Sequence, residues 1–140
     1  MAKQITTSIT INASKEKVWN ILMDFENYSK WNSFIKAISG DLKVGNKIHV
    51  ELSGMTFNPV IKILDKNLEL KWLGSLWFKG LFDGEHKFKL TDNGNGTTYF
   101  EQSEIFSGIL VPLFSKSLDT NTKANFEQMN NELKLRAENI

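Results

Sequence analysis

VPLFSKSLDTNTKANFEQMNNELKLRAENI, residues 111–140, places apolar side chains at Phe114, Leu118, Phe126, Met129, Leu133 and then Ala137 or Ile140. Steps of three and four, or their multiples, keep one face of a helix apolar. Lys116, Asp119, Asn121, Lys123, Glu127, Asn130 and Lys134 fall on the opposite face. Pro112 suits the first turn, where its missing N–H goes unused anyway. Such a helix must bury its stripe, and the large apolar surface available to it is the strand-rich stretch from Phe34 to Phe106. This order predicts an α+β domain whose sheet curls around one long C-terminal helix, an arrangement able to leave a hollow between the two.

Working back toward the N-terminus, residues 4–12 (QITTSITIN) space Ile5, Ile9 and Ile11 among threonines and read as a first strand. Ser14 is placed to cap a short helix over KEKVWNILMDF, with Val18, Trp19, Ile21, Leu22 and Phe25 as its apolar face. ENYSKW forms a second short helix or turn that leads to Trp31. Strands are then expected at residues 34–39, 47–53, 57–64 and 68–73, separated by Gly40, Gly45-Asn46, Gly54 and Asp65-Lys66-Asn67. Two longer strands, 84–91 and 97–106, flank Asp92-Asn93-Gly94-Asn95-Gly96, a hairpin turn.

At 140 residues with no linker-like stretch, the chain reads as one domain over residues 1–140. Seventeen basic against sixteen acidic residues leave a net charge of +1, too balanced for a nucleic-acid footprint. The absence of cysteine excludes disulfides and thiolate metal sites. No signal-like segment and no apolar run long enough for a membrane span occurs, so the protein is expected to be cytoplasmic. His49 and His86 lack ligand spacing, which argues against a metal, and no P-loop, Rossmann glycine pattern or GxSxG elbow is present. No cofactor is expected.

Tyr28 with Trp31-Asn32-Ser33-Phe34-Ile35, Gly40 and Gly45-Asn46-Lys47-Ile48 resembles the START-related SRPBCC superfamily, in its polyketide cyclase/dehydrase-like branch. Gly84-Glu85-His86-Lys87-Phe88, Gly96-Thr97-Thr98 and Glu104-Ile105-Phe106-Ser107-Gly108 are similar to the same branch. The resemblance spans nearly the whole chain. It implies the helix-grip fold also seen in the birch-pollen allergen: a curved seven-stranded antiparallel sheet wrapped around a long C-terminal helix, with two short helices after the first strand and a deep apolar cavity. Relatives include lipid carriers, receptors, aromatic cyclases and quinone-binding proteins, so the resemblance does not fix an activity.

Period two puts His86, Phe88 and Leu90 on one face of the first hairpin strand and Phe100, Gln102, Glu104 and Phe106 on one face of the second. The apolar members mark that face as inward, so His86, Gln102 and Glu104 point inward with them. A turn over residues 92–97 pairs His86 with Gln102 or Glu104. A carboxyl group in an apolar hollow must either gain a partner such as His86 or resist ionisation. His86 and Glu104 are therefore the candidate acid–base groups, with no catalytic role assigned. Ten Phe, four Trp and two Tyr supply wall material. Trp31, Phe34, Trp72, Trp77, Phe88, Phe100, Phe106, Phe114 and Leu118 join His86, Gln102 and Glu104 as candidate ligand-binding residues. Residues 74–84 (GSLWFKGLFDG) read as an apolar loop, a lid over the cavity mouth in preference to a dimer contact or short strands.

The expected function is binding of an apolar or aromatic small molecule, lipid-, polyketide- or quinone-like, by a monomer or weak homodimer. One alternative is a cofactor-free cyclase, dehydratase or related lyase that moves a proton through His86 or Glu104. Another is a protein-interaction domain that uses the apolar loop at residues 76–82.

Overall fold

The computed structural model describes residues 2–76 and 78–140. After β1 (Ala2–Ile11) come α1 (Lys15–Met23) and a 3₁₀ turn at Phe25–Lys30. Ser14 caps α1 by accepting from the Lys17 amide at 3.2 Å, and Val18, Trp19, Ile21 and Leu22 are buried. The Tyr28 hydroxyl donates to the Leu22 carbonyl at 2.6 Å inside this insert. Burial pushes the Tyr28 phenol well above its ordinary pKa, and the nearby Asp24 charge adds to the effect.

Eight strands are formed among the described residues: after β1 come β2 (Ile35–Ser39), β3 (His49–Leu52), β4 (Met55–Phe57), β5 (Val60–Asp65), β6 (Glu69–Leu76), β7 (Phe82–Asp92) and β8 (Thr98–Ser107). They make a five-stranded sheet in the order β1-β8-β7-β6-β5 and a three-stranded sheet β2-β3-β4, with every pairing antiparallel. The expected single seven-stranded sheet is corrected in this respect. The strand expected over residues 57–64 breaks at Asn58-Pro59, because proline has no ladder N–H and restricts the residue before it. A single bridge, Lys47 to Val60, ties the two sheets together, reinforced by the Ile48 amide on the Pro59 carbonyl at 2.9 Å.

The terminal helix is not uniform either. It comprises α2 (Val111–Ser117), a π-helical stretch at Leu118–Thr122 and α3 (Lys123–Glu138). Thr120 Oγ1 donates to the Lys116 carbonyl at 3.0 Å, the acceptor an α-helix would reserve for the Thr120 amide. β-branched Thr120 and Thr122 also weaken the α-helical preference here. Phe126, Met129, Leu133 and Ala137 are buried as the stripe predicts, whereas Phe114 is only half-buried and Ile140 is exposed. Asn130, assigned to the outer face by its polarity, is buried at 2% exposure. It stands four residues after Phe126 and so lies in phase with the stripe.

α3 is held to the rest of the fold by polar clamps. Glu138 accepts from the Asn12 amide at 2.7 Å, and Lys134 donates to the Thr10 carbonyl at 3.0 Å. Hydrogen bonds from Lys134 and the Asn12 backbone hold the Glu138 carboxyl below its ordinary pKa. Glu132 accepts from the Ser33 amide and hydroxyl at 3.0 and 2.9 Å.

The apolar segment 74–84 does not form a free loop. Gly74–Leu76 ends β6 and Phe82–Gly84 begins β7, paired Gly74 to Gly84 and Leu76 to Phe82. The turn between them is tied to the residues before α2, with the Ile109 amide on the Gly80 carbonyl at 3.3 Å and the Leu110 amide on the Leu81 carbonyl at 3.0 Å. Phe78 is exposed. No described helix is long and apolar enough to cross a membrane.

Candidate functional site

The two sheets and the α2–π segment enclose a cavity of about 550 Å³. Its floor and walls include buried Ile35, Val50, Pro59, Trp72, His86, Phe106, Leu118 and Phe126. Exposed Ser33, Ser53, Met55, Ser75, Ser117 and Asn125 also line it, so it opens to solvent along this rim. Leu118 and Thr122 border it from the π stretch, a local helix form that recurs at functional sites. Aromatic rings dominate the inner surface. Phe82 packs edge-on to Phe114 at 5.3 Å and lies 5.7 Å from Phe106, while Phe34 meets Phe126 at 5.5 Å.

Among the described residues, one polar pair interrupts the inner part of this apolar wall. The short hairpin loop sets the register of β7 and β8 so that His86 stands directly opposite Glu104. His86 Nδ1 lies 2.9 Å from Glu104 Oε1, and His86 Nε2 lies 2.9 Å from Gln102 Oε1. The imidazole is stacked on Trp72, 5.3 Å away and 21° from parallel, and meets Phe126 edge-on at 5.1 Å. The network continues behind it. Gln102 Nε2 donates to Asn130 Oδ1 at 2.8 Å and to the Phe126 carbonyl at 3.3 Å, and Asn130 Nδ2 donates to Thr7 Oγ1 at 2.9 Å. The Thr7 hydroxyl donates to the Gln102 carbonyl at 3.0 Å.

Two backbone carbonyls, which only accept, fix the direction of every link. Thr7 uses its one proton on the Gln102 carbonyl, so its oxygen must receive the Asn130 amide group. Asn130 therefore turns its oxygen to Gln102, which must donate, as its contact with the Phe126 carbonyl also requires. The Gln102 oxygen is left facing His86, so Nε2 carries a proton. One further proton then lies between Nδ1 and Glu104 Oε1, because two lone pairs facing each other at 2.9 Å would repel. Whether that proton sits on Nδ1 or on Oε1, a single hydrogen bond joins the buried imidazole to the half-buried carboxyl group.

Gly84 makes room for this arrangement. A Cβ at this position would lie 2.1 Å from Glu104 Oε2, so the carboxylate rests in space that any other residue would occupy. Gly84→Ala is expected to displace the carboxylate from His86 and lower folding stability by about 1.5–3 kcal/mol, the usual worth of a hydrogen bond to a charged group. Urea denaturation checks the loss, and a crystal structure of the variant checks the displacement.

Of the residues singled out from the sequence, Phe34, Trp72, His86, Glu104, Phe106, Phe114 and Leu118 lie on the cavity surface. Phe88 and Phe100 do not. They stack 5.9 Å apart within the solid core, because their strand positions lie beyond His86 and Gln102, farther from the cavity. Gln102 is screened by the His86 ring and acts behind it. Trp31 packs on Tyr28 at 5.1 Å and borders a separate surface depression with Lys17, Asn20 and Arg136. Trp77 lies outside the described residues. The sequence reading missed Thr7, Gly84 and Asn130 in the polar network, and Val50, Leu52, Met55, Phe57, Pro59 and Phe82 on the wall. Asn130 carried a legible signal in its helical phase, and Val50 and Leu52 in their strand alternation.

The model of a family described as polyketide cyclase / dehydrase and lipid transport matches residues 2–138. Among curated proteins, none matches the sequence at a significant level. Several solved structures share the fold. A hypothetical protein from Helicobacter pylori superposes with a TM-score of 0.84 at 17% identity, over 96% of this chain and 88% of that one. A START superfamily protein from Mycobacterium smegmatis gives 0.74 at 19% identity, over 96% and 97% of the two chains. An aromatase/cyclase from a Streptomyces species gives 0.76 at 14% identity, over 99% and 94%.

Proposed function

We propose, on the premise that this chain belongs to the polyketide cyclase / dehydrase and lipid transport family, that it binds an apolar, ring-containing small molecule between its sheets and its terminal helix. The observation that carries this reading is the 550 Å³ cavity, walled by aromatic rings and bearing a polar pair of buried His86 and half-buried Glu104. That volume falls in the usual range for small-molecule sites, and mostly apolar walls with a few placed polar groups are their usual chemistry. Phe34, Trp72, Phe106, Phe114 and Leu118 hold the ligand body, and Glu104, positioned by His86, meets its polar end.

Native mass spectrometry of protein purified from its own host tests the proposal by the mass of a retained ligand. Val50→Phe, which adds volume at a buried wall position on β3, is expected to weaken binding by about tenfold or more while the fold persists. A ligand retained equally by Val50→Phe would place binding elsewhere.

A second reading, cofactor-free cyclase or dehydratase chemistry, is supported by the single proton shared between His86 and Glu104 and by the fold's likeness to an aromatase/cyclase. Glu104→Gln separates the two. A binding protein keeps its affinity within about threefold, because the amide oxygen can still accept from the ligand, whereas an acid–base enzyme loses turnover with binding retained.

A further inference from the structure

Among the described residues, the inner polar end of the cavity offers an acceptor and no donor. Both His86 nitrogens are engaged, Nε2 by Gln102 and Nδ1 by Glu104. Glu104 Oε1 is engaged as well, which leaves Oε2 beside Gly84 on the cavity surface. The shared proton lies on the line between Nδ1 and Oε1 in either of its two positions. Oε2 is therefore a bare lone-pair oxygen whether the pair is imidazolium–carboxylate or imidazole–carboxylic acid. The other polar residues on the cavity surface, Ser33, Ser53, Ser75, Ser117, Thr122 and Asn125, are exposed rim groups, except half-buried Thr122.

From this we infer that the site selects ligands whose buried end carries a neutral hydroxyl, phenolic, enolic or alcoholic, and rejects ligands that lead with a carboxylate. The inference rests on the reading of this cavity as a small-molecule site. A carboxylate at the floor would set acceptor against acceptor, with no hydrogen to share and no net positive charge to offset its own. An ammonium group could donate one hydrogen to Oε2 but would bring a full charge and two further unmet donors into an apolar hollow. A hydroxyl meets both requirements, donating one hydrogen bond and adding no charge. A ring of carbons alone leaves Oε2 dry and unpartnered, the loss by which a polar site discriminates against an analogue lacking the hydroxyl.

Three probes of one shape test this: naphthalene, 2-naphthol and 2-naphthoate, titrated into the full chain at pH 7 and followed by amide chemical shifts. 2-Naphthol is expected to bind about tenfold or more tightly than either of the other two. Glu104→Leu should abolish the preference, bringing 2-naphthol and naphthalene within about threefold of each other. Gly84→Ala, which keeps the carboxylate but displaces it, should reduce the same preference. Equal affinity for all three probes, or a preference for 2-naphthoate, would overturn the inference and leave the cavity as a binding site. Failure of all three to bind would remove both the inference and the reading beneath it. Retention of the 2-naphthol preference in Glu104→Leu would also overturn it, because the preference would then come from another group.

Discussion

Phe100→Ala is expected to lower folding stability by about 3–5 kcal/mol, the usual cost of removing a buried aromatic ring from a packed core. Phe100 is fully buried, stacks on Phe88 at 5.9 Å and belongs to the solid cluster of Ile11, Leu22, Leu90, Met129 and Leu133. Ile11, Leu90, Met129 and Leu133 cannot readily relax inward to fill the gap, because each is held by the five-stranded sheet or by α3, and Leu22 is held by the capped helix α1. A domain of this size holds only about 5–15 kcal/mol in total, so the variant should unfold at a much lower urea concentration. The same truncation at Phe114, half-buried at the cavity edge, should cost far less. If the two variants proved equally destabilised, the division of the interior into a packed part and a hollow part would be wrong.

Gln102→Leu is expected to be nearly as damaging although it preserves volume. It leaves the His86 Nε2 proton, the Asn130 oxygen and one interaction of the Phe126 carbonyl without their partner, at about 1–3 kcal/mol for each unsatisfied buried group. A total of about 3–5 kcal/mol follows, read as a shift in the urea midpoint at constant slope. Asn130→Leu alone should also destabilise, since it strands the Gln102 amide and the Thr7 hydroxyl oxygen. The double variant should cost less than the two single losses added, because the shared bond is removed only once. Strict additivity would mean that the chain from Thr7 to His86 does not act as a unit.

The hairpin was legible because a short loop fixes register and period two then fixes every side. Given Gly94 and Gly96 in the turn, His86 had to stand opposite Gln102 or Glu104, and the register selects Glu104. The stripe from Phe126 to Ala137 was legible for the same reason, a single period over several turns. Asn130 was misplaced because its side-chain type was read ahead of its phase, and a buried amide sits in an apolar stripe when its partners, here Thr7 and Gln102, come from distant strands. Pro59 was visible, yet its consequence reaches beyond one strand. By ending β4 and starting β5 it divides the sheet, and Val50, Leu52, Met55 and Phe57 become one wall of the hollow. The cavity itself had no local signature, since it is the gap left between surfaces that belong to separate elements.

The π stretch at Leu118–Thr122 divides the terminal helix into two parts under different pressures. Substitutions beyond it, at Phe126, Met129 or Leu133, draw directly on folding stability. Phe114, Ser117 and Thr122, before and within it, face the cavity and are not fully buried, as is Met55 across the opening. A combinatorial library at these four positions could reshape the volume and mouth of the site while the scaffold's stability margin stays almost untouched. The same separation gives natural drift a route to new ligands without passing through unfolded intermediates.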